Sequence, residues 1–112
     1  MIAQNYRLQR WKIEKILKKG ASVKVELFIV KYLENKLDHS RFSVTMSAKF
    51  EKLATIRNRK KRQVYEAIRN LLKEDTKPKK NTDMVLIPYK KLLTCGYNKI
   101  YSNINNIFTL LK

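Results

Sequence analysis

Arg57-Asn58-Arg59-Lys60-Lys61-Arg62 places five cations in six residues, inside the chain rather than in a tail. Groups of this type and density suit one task above others, the binding of a polyanion through its phosphates. Ile56, Val64, Ala67, Ile68, Leu71 and Leu72 recur at three- and four-residue spacing across and beyond the cluster. That periodicity predicts an amphipathic helix from Arg57 to Lys73, with Thr55 as its N-cap. The cations then fall in the first two turns, where they oppose the helix macrodipole. Helix stability alone does not select that arrangement, whereas a bound phosphate chain does, because free N–H groups and cationic side chains then meet the same anions. In projection Arg57, Lys60 and Lys61 share a stripe with Val64, Ile68 and Leu71. Unpaired cations are not buried, so the first turns are expected to overhang the core and line a groove.

No other constellation competes as a site of chemistry. Nine acids are scattered, mostly singly, and form no carboxylate cluster for two-metal phosphodiester cleavage. There is no Cys/His metal spacing and no Gly-rich phosphate loop. His39 is the sole histidine, in a polar loop from Asn35 to Ser40, and Cys95 is the sole cysteine. Cys95 reads as an ordinary loop or packing residue, and a chain without an internal disulfide fits a reducing cytoplasm. No catalytic residue and no metal site is expected.

The elements that must hold the cationic helix follow from patterning. The chain has 112 residues and reads as a single domain over 1–112. Lys and Arg number 26 against 9 Asp and Glu, a formal charge of +17. Nucleic acid is the leading partner for such a charge and an anionic membrane surface the second. No apolar run approaches the ~18 residues of a membrane span, and the start of the chain lacks the apolar core of a signal peptide. Arg10 to Lys19 reads as a short helix with Ile13, Ile16 and Leu17 inward and Gly20 at C′. For Trp11, packing under an adjacent loop is preferred to stacking on a base. Ser22 to Leu33 reads as one strand, covered on both faces in part or bent. Arg41 to Ser47 is a second strand, with Phe42, Val44 and Met46 on one face and Ser43 and Thr45 on the other. Asp75 to Thr82 is a linker around Pro78, Met84 to Ile87 a buried strand ended by Pro88, and Asn98 to Leu111 a closing helix. The sum is an α+β fold, a small sheet packed on helices, with the basic helix joining two strands of one sheet.

Several of these segments resemble the protein subunit of bacterial ribonuclease P. Arg57-Asn58-Arg59 with Lys61-Arg62 matches that family's Arg-Asn-Arg helix, and Glu66-Ala67 its continuation. Arg7-Leu8, Lys19-Gly20-Ala21-Ser22, Arg41-Phe42-Ser43-Val44-Thr45 and Asp83-Met84-Val85-Leu86-Ile87-Pro88 are similar to its flanking segments, in order and across nearly the whole chain. Three places depart from the pattern. Met46 to Leu53 lacks the usual Lys-Lys-x-Gly, Ile13 and Leu17 stand where Phe is common, and Tyr65 where Arg is common.

The resemblance implies a small mixed sheet flanked by helices, in the order α-β-β(-β)-α-β-α. Its basic helix lies in a left-handed βαβ crossover, as in a known ribosomal-protein domain. It implies a subunit of ribonuclease P that binds the catalytic RNA and the 5′ leader of precursor tRNA. RNA and magnesium ions held mainly by RNA and substrate would cut the phosphodiester, and this chain alone would not. The protein would be a cytoplasmic monomer within a ribonucleoprotein and not a membrane protein. Arg57, Asn58, Arg59, Lys60, Lys61, Arg62 and Arg69 would contact RNA. Arg10, Ile13, Leu17, Phe28, Tyr32, Phe42, Ser43 and Tyr65 would line a groove for the leader, single strands being held by aromatic stacking and basic flanks. The alternatives are a ribosomal or general RNA-binding protein without a nuclease role, a membrane-surface protein and a standalone nuclease.

Overall fold

A computed structural model describes residues 7–37, 39–47, 49–74 and 81–111. Helix α1 (Arg10–Lys19) leads into strands β1 (Ala21–Lys24), β2 (Phe28–Glu34) and β3 (Arg41–Val44). Helix α2 (Ala54–Lys73), strand β4 (Thr82–Pro88), a 3-10 turn (Lys90–Thr94) and helix α3 (Tyr97–Leu110) complete the order. The expected linker falls largely outside the described residues, and its last residue, Thr82, already opens β4.

The expected single strand over Ser22–Leu33 is two strands. Leu27 breaks it because both of its backbone groups are taken from outside the ladder. Its N–H donates to the Asn103 Oδ1 on α3 at 3.0 Å, and its carbonyl accepts from the Tyr89 N–H at 2.8 Å. The chain turns there and β1 folds back antiparallel on β2. The full sheet runs β1-β2-β4-β3, with β2 and β4 antiparallel and β3 and β4 parallel. Helix α2 is the connection between that parallel pair, as the α+β reading expected.

Register decides what each face carries, since side chains alternate along a strand. Phe28 pairs with Pro88, Val30 with Leu86, and Tyr32 with Met84. Met84 in turn pairs with Phe42, and Leu86 with Val44. These residues share one face and form a core cluster with Val64, Tyr65, Ile68 and Leu71 of α2 and Ile100, Ile104 and Phe108 of α3. The opposite face carries Ile29, Lys31 and Leu33 on β2, Asp83, Val85 and Ile87 on β4, and Arg41 and Ser43 on β3. Helix α1 lies on this second face against β2 and β4 and contributes the fully buried Ile16. A central strand covered on both sides reads as a continuous apolar run, which is what Met84-Val85-Leu86-Ile87 is.

Two expectations about α1 need correction. Trp11 packs under nothing: it is 62% exposed, and Gln9 Oε1 accepts its indole N–H. It stands roughly 140° around the helix from Ile16, so the face that meets the sheet excludes it. Gly20 ends the helix as expected, but in extended backbone (φ −72°) and not in the left-handed C′ geometry. Glycine is needed there for close approach, since a Cβ would stand 2.6 Å from the Ile16 carbonyl oxygen and 3.0 Å from that of Tyr32.

Asp83 ties these parts together. It is 1% exposed, and Arg41 donates to it from Nε at 2.9 Å and from Nη2 at 2.7 Å. Asn35 Nδ2 donates at 2.8 Å, and Lys12 of α1 approaches to 3.9 Å. Burial by itself would raise the carboxyl's pKa, but the bonds from Arg41 and Asn35 outweigh it and hold the group below its ordinary value. A depressed folded-state pKa stabilises above the unfolded value of about 3.9, and that contribution disappears as pH falls through the folded value. Thermal melts between pH 5 and pH 2 should therefore show a loss of stability below about pH 4 that is reduced in Asp83→Asn. At pH 7, Arg41→Ala should cost roughly 3 kcal/mol by leaving the buried carboxylate short of its main partner.

Candidate nucleic-acid interface

Helix α2 begins three residues earlier than its cation cluster suggests. Leu53 is the N-cap, without a side-chain cap, so the Thr55 assignment is corrected to a position inside the first turn. No acid lies in that turn, and Lys73 sits in the last. Just before the helix, Glu51 Oε1 accepts the Leu53 N–H at 3.2 Å.

The six-residue cluster divides into anchored and free members. Arg57 is half-buried and folds back on the preceding loop, donating from Nη1 to the carbonyls of Glu51 and Lys52. Lys60 is 7% exposed, and its ammonium donates to the Cys95 carbonyl at 2.7 Å and to Gln63 Oε1 at 3.2 Å. Burial, and next the charge of Arg59, pull its pKa below the usual lysine value. The expected overhang of Arg57, Lys60 and Lys61 beyond the core is therefore corrected. The helix turns inward at Lys60, and a main-chain oxygen from the segment before α3 meets the charge. Lys60 thus serves as a cross-brace from α2 to that segment.

Asn58, Arg59, Lys61 and Arg62 make no hydrogen bond or ion pair with any described residue. Asn58, Arg59 and Arg62 are exposed, while Lys61 is half-buried. Within an arc of about 100°, Asn58, Arg59, Arg62, Arg69 and Lys73 share the outer face of α2. Arg69 sits two turns beyond Arg62 and is engaged locally, with Nη2 2.6 Å from Glu66 Oε1. Arg69 is thus less free than Arg59 or Arg62 to meet an added anion. The free stripe is thus concentrated in the first turns of α2, where unsatisfied N–H groups add to the positive potential.

A second surface lies on the α1 side of the sheet. Of the groove residues read from sequence, Phe28, Tyr32, Phe42 and Tyr65 lie elsewhere. Phe28 and Phe42 are fully buried in the core cluster, and Tyr32 packs against it. Tyr65 is buried too, its hydroxyl oxygen accepting the Val44 N–H at 3.1 Å. The residues of opposite parity take their place: Ile29, Lys31 and Ile87, half-buried on the α1-side face beside Ser43. Lys12 points from α1 toward Asp83, which marks one flank of the helix. Ile13, Leu17 and Arg10 lie on the other flank, about 100° or more around the helix from Lys12. Arg10 and Leu17 are exposed and Ile13 is half-buried. The α1 side of the sheet thus carries aliphatic side chains together with Lys31 and Ser43. Only the alternating Ser43 and Thr45 hinted at this face in the sequence, and register was needed to add Ile29, Lys31 and Ile87.

Among the described residues no group of three or more His, Cys, Asp or Glu could hold a metal ion, and no helix is long and apolar enough to cross a membrane. The chain matches the family model described as Ribonuclease P over residues 2–112. A ribonuclease P protein component from Synechocystis sp. is 29% identical over 110 residues, 96% of this chain and 86% of that protein. One from Streptococcus pneumoniae is 33% identical over 113 aligned positions, 97% of this chain and 86% of that protein. The solved ribonuclease P protein from Thermotoga maritima superposes with a TM-score of 0.82 at 32% identity, covering 95% of this chain and 97% of that one.

A small α+β fold with a bare cationic stripe on its crossover helix defines an RNA-binding protein of ribonucleoprotein type. The chain belongs to the ribonuclease P protein family. Membership gives it an RNA partner and a part in tRNA processing, and sets aside the ribosomal and general RNA-binding alternatives.

Anchored and free cations separate in a paired measurement. Lys60→Ala should lower stability by about 1–3 kcal/mol through the lost carbonyl bond and leave the salt dependence of RNA binding unchanged. Arg59→Ala should leave the melting temperature unchanged and reduce the slope of log affinity against log salt by about one.

Proposed function

We propose that this chain is the non-catalytic subunit of a cytoplasmic ribonuclease P. It docks on the catalytic RNA through α2, holds the 5′ leader of precursor tRNA against the α1-side groove, and works as one copy per ribonucleoprotein. The observation that carries the reading is the division of the basic cluster. Arg57 and Lys60 bind protein carbonyls, while Arg59, Lys61 and Arg62 have no hydrogen-bond or ion-pair partner among the described residues, and Arg59 and Arg62 are exposed. A helix held by two of its own cations presents the remaining ones in a fixed array, so little ordering entropy is lost when phosphates arrive.

In the groove, Ile13, Ile29 and Ile87 would take the apolar faces of unpaired nucleotides, and Lys31 and Arg10 the backbone charge. Ser43 can donate or accept one hydrogen bond. By spreading cations between two RNA strands the protein lowers their mutual repulsion, which reduces the magnesium needed for cleavage and favours leader-bearing substrate over product. Magnesium supplies Lewis-acid and nucleophile-activating chemistry on the RNA, and this chain's residues bind and orient strands.

The test is precursor-tRNA cleavage at low magnesium by a bacterial ribonuclease P RNA, with and without this protein. Wild type should stimulate cleavage strongly, and Arg59→Ala/Arg62→Ala should lose most of the stimulation while keeping the wild-type melt. Cleavage by the protein in the absence of any RNA partner, or no stimulation of a compatible RNA, would overturn the reading.

A further inference from the structure

Trp11 is the sole tryptophan of the chain, and neither the core nor the groove uses it. At 62% exposure it is the most exposed large apolar side chain described. An indole left in water on a protein this small usually meets a partner, because exposed apolar surface is costly and aromatic rings are favoured contact groups. Its setting narrows the partner. Gln9 Oε1 holds the indole N–H, and Lys12 Nζ lies 5.5 Å from the ring centroid, so the ring is braced from its own helix. Around the outward face of α1, Lys15 and Lys18 lie four and seven residues on from Trp11, on the same side of the helix. Arg7 and Arg10 stand at the helix start, and all four cations are exposed. None of the four makes an ion pair with a described residue. Glu14 is the sole acid on the helix. A braced aromatic among free cations suits a single-stranded nucleic acid, which offers one stacking face and one phosphate per unit. A protein partner would have to bury those charges.

Position selects which strand. Trp11 lies in the first turn of α1, about 100° around the helix from Arg10. Arg10 stands on the flank of α1 that also carries Ile13 and Leu17, so a strand held along that flank and continuing over the helix meets Trp11 next. Building on the reading under Proposed function, we propose that Trp11, with Lys15 and Lys18, forms an outer stacking site for leader nucleotides upstream of those held in the groove. The protein would then sense leader length as well as leader presence. Stacking makes few demands on base identity, which suits a segment that differs from one precursor to the next.

The experiment uses the holoenzyme, assembled from this protein and a bacterial ribonuclease P RNA. Affinity is measured for leaderless tRNA, for a precursor whose short leader fills only the groove, and for one whose long leader extends past the first turn of α1. Wild type should bind the long-leader precursor more tightly than the short. Trp11→Ala should remove roughly tenfold of the long-leader affinity, leave the short-leader and leaderless affinities unchanged, and be rescued by Trp11→Phe. The fluorescence of Trp11, which is free of any other tryptophan signal, should be quenched by the long leader alone. Full retention of the long-leader advantage in Trp11→Ala would overturn the inference, as would quenching by ribonuclease P RNA before substrate is added. If wild type did not distinguish any leader-bearing precursor from leaderless tRNA, the groove reading would fail and this inference with it.

Discussion

A buried carboxylate organises a protein that is otherwise overwhelmingly positive. Asp83 sits at the second position of the central strand, and through Arg41, Asn35 and Lys12 it binds the neighbouring parallel strand, the loop that follows β2 and the helix over the outer face. In a chain of formal charge +17, cations are abundant and repel one another. One anion shielded from water and shared among three elements turns part of that repulsion into attraction. Asn35 extends the same corner: its side-chain oxygen accepts the Leu37 N–H at 3.0 Å, and its amide nitrogen also reaches the His39 carbonyl at 3.2 Å. Asp83 thereby helps seat α1 on the second sheet face, the side on which the leader surface is proposed.

The same logic recurs at the other functional surface on a smaller scale. Main-chain oxygens there replace the carboxylate as the receivers of charge. Arg57 closes the loop before α2, and Lys60 reaches the segment that leads into α3. Each cation spent inside frees its neighbours to face solvent with their helix already fixed. The two surfaces are thus products of one rule, that a cation is anchored wherever a protein oxygen can be brought to it and is displayed wherever none is available.

Local features of the fold could be read from residue patterning, and long-range ones could not. The bounds of α1 were legible because Ile13, Ile16 and Leu17 alternate with cations and Gly20 follows directly. The closing helix was legible through the three- and four-residue spacing of Ile100, Ile104, Ile107 and Phe108. The break at Leu27 was not, because it depends on an amide 76 residues downstream. Asn103, one residue of the closing helix, is the group that takes the Leu27 N–H at that turn. Phe28 and Tyr32 face the core while Ile29 and Lys31 face α1, a parity that means nothing until a partner strand sets the register. Lys60 read as a surface charge because its partner is a main-chain oxygen, which no sequence pattern marks. The family resemblance carried the cationic helix and the order of elements and could not supply these pairings.

The topology also carries a consequence for when the protein becomes active during its own synthesis. The apolar side of α2 packs against α3, which follows it in the chain, and the parallel pair β3–β4 closes only once the helix between its strands has been made. A twenty-residue helix whose first turns carry crowded like charges is marginal alone, and Lys60 lacks its main-chain partner until Cys95 has left the ribosome. The cationic array therefore gains its fixed geometry only after Cys95 and α3 have emerged. A nascent chain threading past ribosomal RNA, the most abundant polyanion in its surroundings, carries the charges without the rigid geometry that would make them grip.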